Sequence, residues 1–156
     1  MVNIELNQER INETLFRFLQ SVYLFEKREA TLFSVSWDEV YLLQLLARKN
    51  PMTVTELAKK LKVKNFTASR MITRLADQKL VLRKQSTGDR RVMEVFLTTQ
   101  GRNKIQEIEA FNYKTILANI DTLGENEVQI LMNSIENLDI LLSLKNIRGE
   151  NDEFGE

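Results

Sequence analysis

Neither cysteine nor histidine occurs among the 156 residues of the chain. Their absence removes His- or Cys-ligated zinc, Cys–His and Ser–His nucleophile pairs, and redox sensing by a thiol. The five glycines are scattered singly, so no glycine-rich loop is available to cradle a phosphate. Catalysis would have to rest on lysines or carboxylates, yet acids such as Asp77 and Glu94 form no pair in an apolar setting. The sequence therefore reads against an enzyme and calls for no cofactor. No apolar run approaches the ~20 residues of a membrane span. The opening Met1-Val2-Asn3-Ile4-Glu5-Leu6 lacks the charged head and apolar stretch of a secretory signal, and a cytoplasmic protein is expected. What is present is ordinary for a globular chain, with 43% hydrophobic and 28% charged residues over a length that suits one domain with one core.

The formal net charge of zero conceals a strong asymmetry. Between Arg48 and Lys104 there are 15 basic residues against four acidic ones. Residues 1–47 carry four bases and seven acids, and residues 105–156 carry three bases and 11 acids. A basic centre between acidic flanks suits a polyanion-binding module, because Lys and Arg that neutralise phosphates drive nucleic-acid affinity. A merely solvated basic face would look the same by charge alone, so the order of elements has to decide.

That order is legible from hydrophobic periodicity. Ile11, Leu15, Phe18, Leu19, Val22 and Phe25 recur at three- and four-residue steps, predicting a long helix from about Leu6 to Arg28. Ser36-Trp37-Asp38-Glu39 reads as a capping box opening a second helix that ends near Asn50-Pro51, at the only proline. Met52-Thr53-Val54 is a short extended candidate, followed by a brief helix over Thr55–Leu61. A fourth helix runs from about Asn65 to Gln78, with Ala68, Met71, Ile72 and Leu75 inward and a polar, basic outer surface. Val81–Gln85 and Val92–Leu97 read as a hairpin whose charged connector is Ser86-Thr87-Gly88-Asp89-Arg90-Arg91. Two more helices are expected, Thr99 to about Asp121 and Glu125 to about Leu144, with Gly124 between them and a frayed acidic tail over 146–156.

Two short helices, the second basic and polar outward, followed at once by a charged hairpin, form the order of a winged helix-turn-helix. In that geometry the second helix fits the major groove. Lys64, Asn65, Thr67, Ser69, Arg70 and Arg74 become candidates for base edges or phosphates, arginine suiting guanine and asparagine suiting adenine. The hairpin tip would then lie against the backbone or the minor groove.

The chain at this point resembles the MarR (multiple antibiotic resistance regulator) transcription factors. The carrying residues are Thr55-Glu56-Leu57-Ala58, Thr67-Ala68-Ser69-Arg70-Met71-Ile72-Thr73-Arg74-Leu75, Leu80-Val81-Leu82-Arg83, Gly88-Asp89-Arg90-Arg91 and Leu97-Thr98-Thr99-Gln100-Gly101. The wing pattern Asp-x-Arg followed by Leu-Thr-x-x-Gly is the specific part, whereas the helix-turn-helix core is shared by many regulators. The resemblance implies a mainly α fold with a small β-hairpin wing, in a single domain over 1–156. Within it, 1–35 and 105–145 would be dimerisation helices and 36–104 the winged module. It further implies a homodimeric repressor bound to a palindromic operator in double-stranded DNA. By position, Arg91 is similar to a wing arginine that enters the minor groove, Asp89 to its orienting partner, and Arg90 to a phosphate contact. Asp89 as a plain turn residue beside solvated arginines is the alternative.

Apolar residues in excess of one buried face support the dimer, since Ile140, Leu141, Leu142 and Leu144 nearly encircle the last helix. Seven of the 12 aromatics fall within the first 41 residues. They either pack as core or line a cleft for a small aromatic or phenolic effector of the kind the resemblance implies, with Arg17, Trp37 and Tyr41 as candidate contacts. A winged-helix protein-interaction module without DNA binding remains the alternative function.

Overall fold

The computed structural model describes residues 7–144; the expected tail over 146–156, and residues 1–6 and 145 of the expected dimerisation segments, lie outside them. The described chain parts after Ile108 into two compact units, the boundary falling inside one long helix.

In the first unit, α1 (Gln8–Phe33) starts where the Asn7 side chain accepts the Arg10 N–H. It runs five residues past the expected end and stops at Ser34, which takes the left-handed conformation at φ 58°. No glycine marks that exit, which is why the sequence pattern ends the helix early. α2 (Trp37–Arg48) begins at the predicted capping box, with the Glu39 N–H donating to Ser36 Oγ and the Ser36 N–H donating to Glu39 Oε2. A second capping box went unrecognised at the sequence level. Thr53 and Glu56 reciprocate in the same way and pull Val54 out of the extended segment into the first turn of α3 (Val54–Leu61). α4 (Asn65–Asp77) follows after a short turn.

The hairpin of β2 (Val81–Gln85) and β3 (Met93–Leu97) pairs antiparallel, with Val81 opposite Leu97 and Gln85 opposite Met93. It is one strand short of the full sheet. β1 (Met52–Thr53) adds to the other edge of β3 and makes a three-stranded sheet in the order β1-β3-β2. The core lies where these elements converge: Leu42, Leu43 and Leu46 of α2, Leu57 of α3, Ile72 and Leu75 of α4, Leu80 and Val95 are all fully buried. α5 (Thr99–Ile120) contributes Gly101, Ile105 and Ile108.

In the second unit the single long helix expected from Glu125 to Leu144 is instead two pieces, α6 (Glu125–Glu136) and α7 (Leu138–Leu141). Asn137 interrupts it. Its side-chain amide donates to the Asn133 carbonyl, the acceptor its own N–H would use in a continuing helix, and that N–H turns to Ser134 instead. Neither α6 nor α7 has a buried residue.

Glu56 also receives the Lys49 ammonium at 2.7 Å. That contact, with the Thr53 N–H, holds the Glu56 carboxyl below its ordinary 4.5. A group held low stabilises the fold fully above its ordinary value and loses that contribution as pH falls through the lowered one. Glu56→Gln should therefore cost about 0.5–1 kcal/mol at neutral pH, as an exposed cap does. Urea midpoints of the two proteins should converge in strong acid; a gap independent of pH would refute the assignment.

Candidate nucleic-acid interface

α4 divides cleanly by helical period. Ala68, Ile72 and Leu75 are fully buried, and Phe66, Arg70, Thr73 and Asp77 occupy the opposite stripe. Lys64, Asn65, Thr67 and Arg70 are exposed, and Ser69 is half-buried at the edge. The sequence-level candidates thus share the solvent side of one helix. A shallow depression of about 270 Å³ lies over this surface, lined by Phe66, Ser69, Arg70, Thr73, Arg74 and Asp77.

Arg74 behaves differently from its neighbours. Its Nε lies 3.1 Å from Glu39 Oε1, and the Glu39 side chain is only 3% exposed while that of Arg74 is 61% exposed. The same guanidinium approaches the Ser34 carbonyl at 3.5 Å, and Gln78 donates to that carbonyl at 3.2 Å. One end of α4 is therefore tied to the α1–α2 junction, through a carboxylate whose other oxygen caps α2. The sequence showed Glu39 only as a capping residue, because the partner lies 35 positions away and only the fold brings it close. Arg74→Ala is expected to lower stability by about 1–2 kcal/mol, leaving a buried carboxylate oxygen without its cation. Arg74→Lys should recover part of that loss. Equal melting temperatures for all three proteins would show that the pair does not hold α4.

The wing is tied to the same helix. Arg83 of β2 donates through Nη1 to Thr73 Oγ1 at 2.9 Å, and that hydroxyl donates to the Ser69 carbonyl. In the sequence Arg83 belongs only to the strand motif, and the contact depends on the position of the hairpin beside α4. At the tip, the Val92 N–H reaches the Asp89 carbonyl and the Ser86 N–H reaches the Val92 carbonyl, closing a compact turn. Asp89 does position residue 91, but through the main chain: its Oδ1 accepts the Arg91 backbone N–H at 2.9 Å, an Asx turn in place of a clamped guanidinium. Arg90 and Arg91 are both exposed, and neither guanidinium makes an ion pair or a ring contact among the described residues. Two guanidinium groups at a hydrogen-bonded turn, free of internal partners among the described residues, are available to an external anion.

The base of the wing explains the Leu-Thr-x-x-Gly motif. Thr98 Oγ1 lies 2.7 Å from the Lys79 carbonyl and 2.9 Å from that of Leu80, while accepting the Gly101 N–H at 2.9 Å. Lys79 itself is left-handed at φ 61°. Gly101 lets α5 close onto the Leu80 carbonyl, against which a Cβ would collide. These residues hold the wing in place from beneath.

Arg17, Trp37 and Tyr41 line no part of the depression on α4. Arg17 and Trp37 are exposed on α1 and at the start of α2, and Tyr41 is half-buried. No group of three His, Cys, Asp or Glu side chains able to hold a metal occurs among the described residues. No helix among them is long and apolar enough to cross a membrane.

Comparisons with known proteins agree with this geometry. Residues 35–93 match the model of the MarR family. Over 90 residues the chain is 29% identical to the HTH-type transcriptional repressor MdtR of Bacillus subtilis, a match that spans 58% of this chain and 58% of that protein's own length. Streptococcus pneumoniae FabT, solved in complex with DNA, superposes with a TM-score of 0.68 at 25% identity, covering 88% of this chain and 98% of FabT. The YusO protein of Bacillus subtilis shares the fold at a TM-score of 0.68 and 23% identity, over 85% of this chain and 97% of its own. Over residues 35–93, within the winged helix-turn-helix module, the chain is thus similar to the MarR family.

Proposed function

We infer that the protein is a homodimeric, sequence-specific transcriptional repressor that binds a palindromic site in double-stranded DNA. The observation that carries this reading is the pairing of an outward polar, basic face on α4 with a rigid hairpin tip that presents Arg90 and Arg91 free of internal partners. The Arg83–Thr73 contact links the two, so helix and wing would meet the duplex as one body. Lys64, Asn65, Thr67, Ser69 and Arg70 would lie in or beside the major groove, and Arg91 would enter the narrow, electronegative minor groove, where arginine is favoured. Asp89 shapes the turn, and Arg90 meets phosphate. FabT, which is similar in fold and was solved in complex with DNA, supports DNA as the partner.

Apolar surface supports the dimer. Ile11, Leu15, Phe18, Leu19 and Val22 of α1 are exposed in the single chain, and so are Ile130, Leu131 and Ile135 of α6 and Ile140 and Leu141 of α7. Surface of that extent is costly to leave in water, and a second copy of the chain would cover it. A symmetric pair places its recognition helices one DNA turn apart, about 34 Å. A small aromatic effector rests on the family resemblance alone, and Arg17, Trp37 and Tyr41 take no part in this proposal.

Binding to a labelled duplex from the region upstream of the protein's own coding sequence tests the proposal, with salt and unlabelled competitor as variables. The expected result is competitor-resistant binding near ~10⁻⁸ M with a steep salt slope, by a species of twice the 18.2 kDa chain mass. Weak, competitor-sensitive binding there and in a genome-wide selection would instead favour a winged module that serves a protein partner.

A further inference from the structure

The outer pole of α4 is occupied by an aromatic ring. Phe66 lies in the first turn, on the side of the helix away from the buried face, and is 71% exposed. An apolar side chain in that position gains nothing from the core and sits on the most basic segment of the chain. One turn on, the Arg70 guanidinium lies over its ring at 5.8 Å from the centroid. The remainder of the stripe changes character: Thr73 is engaged by Arg83, and Asp77 places a carboxylate at the far end. A carboxylate repels DNA phosphate, so only the N-terminal half of this face, with Phe66 and Arg70 at its centre, suits close approach to a duplex.

The edges of the bases in the major groove are polar except at one point, the C5 methyl of thymine. We propose that Phe66 is a specificity-determining residue that packs on a thymine methyl, with its ring serving as the shelf that orients Arg70 toward an adjacent guanine. The two readings are coupled by geometry. A guanidinium stacked on a ring keeps its donors pointing along the ring plane, so burying the ring on the methyl fixes where those donors meet the neighbouring base pair. This inference rests on the DNA-binding reading of α4 and adds to it which base features are read.

The test starts from a duplex selected out of a random-sequence pool by the full-length protein. Each thymine of the selected site is then replaced by deoxyuridine, which deletes the methyl and nothing else. At one thymine in each half-site the replacement should weaken wild-type binding by about three- to fivefold, the worth of one buried methyl group. Phe66→Ala should weaken binding to the thymine duplex by about tenfold, and it should be indifferent to the deoxyuridine replacement. It should also select a pool relaxed at the adjacent guanine. Because Phe66 is exposed, the variant should melt with the wild type. Thymine and deoxyuridine effects that add independently of Phe66 would overturn the methyl contact while leaving DNA binding intact. So would a Phe66→Ala protein whose only change is its oligomeric mass, since the ring would then belong to a protein interface. Failure of the wild type to enrich any sequence would overturn the inference together with the reading beneath it.

Discussion

Gly101→Ala is expected to destabilise the protein by about 3 kcal/mol, lowering the melting temperature by close to 10 °C. Two effects of opposite sign compete at this position. Alanine is the better helix former, and inside an exposed helix the exchange would gain about 1 kcal/mol. Here the new Cβ would point into the Leu80 carbonyl and the Leu97 side chain. The carbonyl cannot swing aside, since Thr98 bonds to it through both N–H and hydroxyl. The whole first turn of α5 would have to lift from the base of the hairpin. A thermal melt decides the sign: a rise in stability would mean that the close approach is absent. The same displacement would carry the wing away from α4, so DNA affinity should fall together with stability, a coupling that distinguishes this position from the wing tip.

Arg91→Ala is expected to do the reverse, abolishing most of the specific affinity at unchanged stability. An exposed side chain without an internal partner contributes little to the fold, and the Asx turn survives because Asp89 holds the main chain of residue 91. A base or groove contact of this type is worth about 1–3 kcal/mol, so two wings acting on one operator lose about thirtyfold even at the lower end. The salt dependence should flatten as well, because fewer counterions are released. Arg90→Ala should instead weaken cognate and random duplexes alike, as loss of a phosphate contact does. Cognate affinity unaltered in Arg91→Ala would remove the wing from the interface and leave α4 to act alone. Measured beside Arg74→Ala, the pair separates a side chain proposed to touch DNA from one that holds α4 in place.

Much of the architecture was legible in the residues because it is written in local patterns. The inward period of Ala68, Ile72 and Leu75, the capping box at Ser36 and the two β segments on either side of the turn-rich connector are each decided within a few positions, and each is found where expected. Errors occurred where a local signal was missing or shared. Ser34 ends α1 without a glycine, and Asn137 divides α6 from α7 by a side-chain bond that no apolar period reveals. The extended segment expected at Met52-Thr53-Val54 is present as β1 but one residue shorter, because the capping box at Thr53 claims Val54 for α3. Phe66 did carry a signal, an aromatic ring two residues off the buried period, which reads as a misplaced core residue until its exposure is known.

By itself, then, the sequence determined the chemical class of the protein and the identity of its basic surface. Composition excludes thiol and imidazole chemistry, and charge along a chain is fixed whatever its fold. It also determined which residues face outward on α4, since a helix has one period. The tertiary structure alone decided which of those outward cations are free. Arg74 on α4 and Arg91 on the wing are the same residue type, yet one is committed to a buried carboxylate from α2 and the guanidinium of the other has no ion pair among the described residues. The reason is physical. An ion pair depends on distances of a few ångströms between groups far apart along the chain, and those distances exist only after the core of α2, α4 and the sheet has closed.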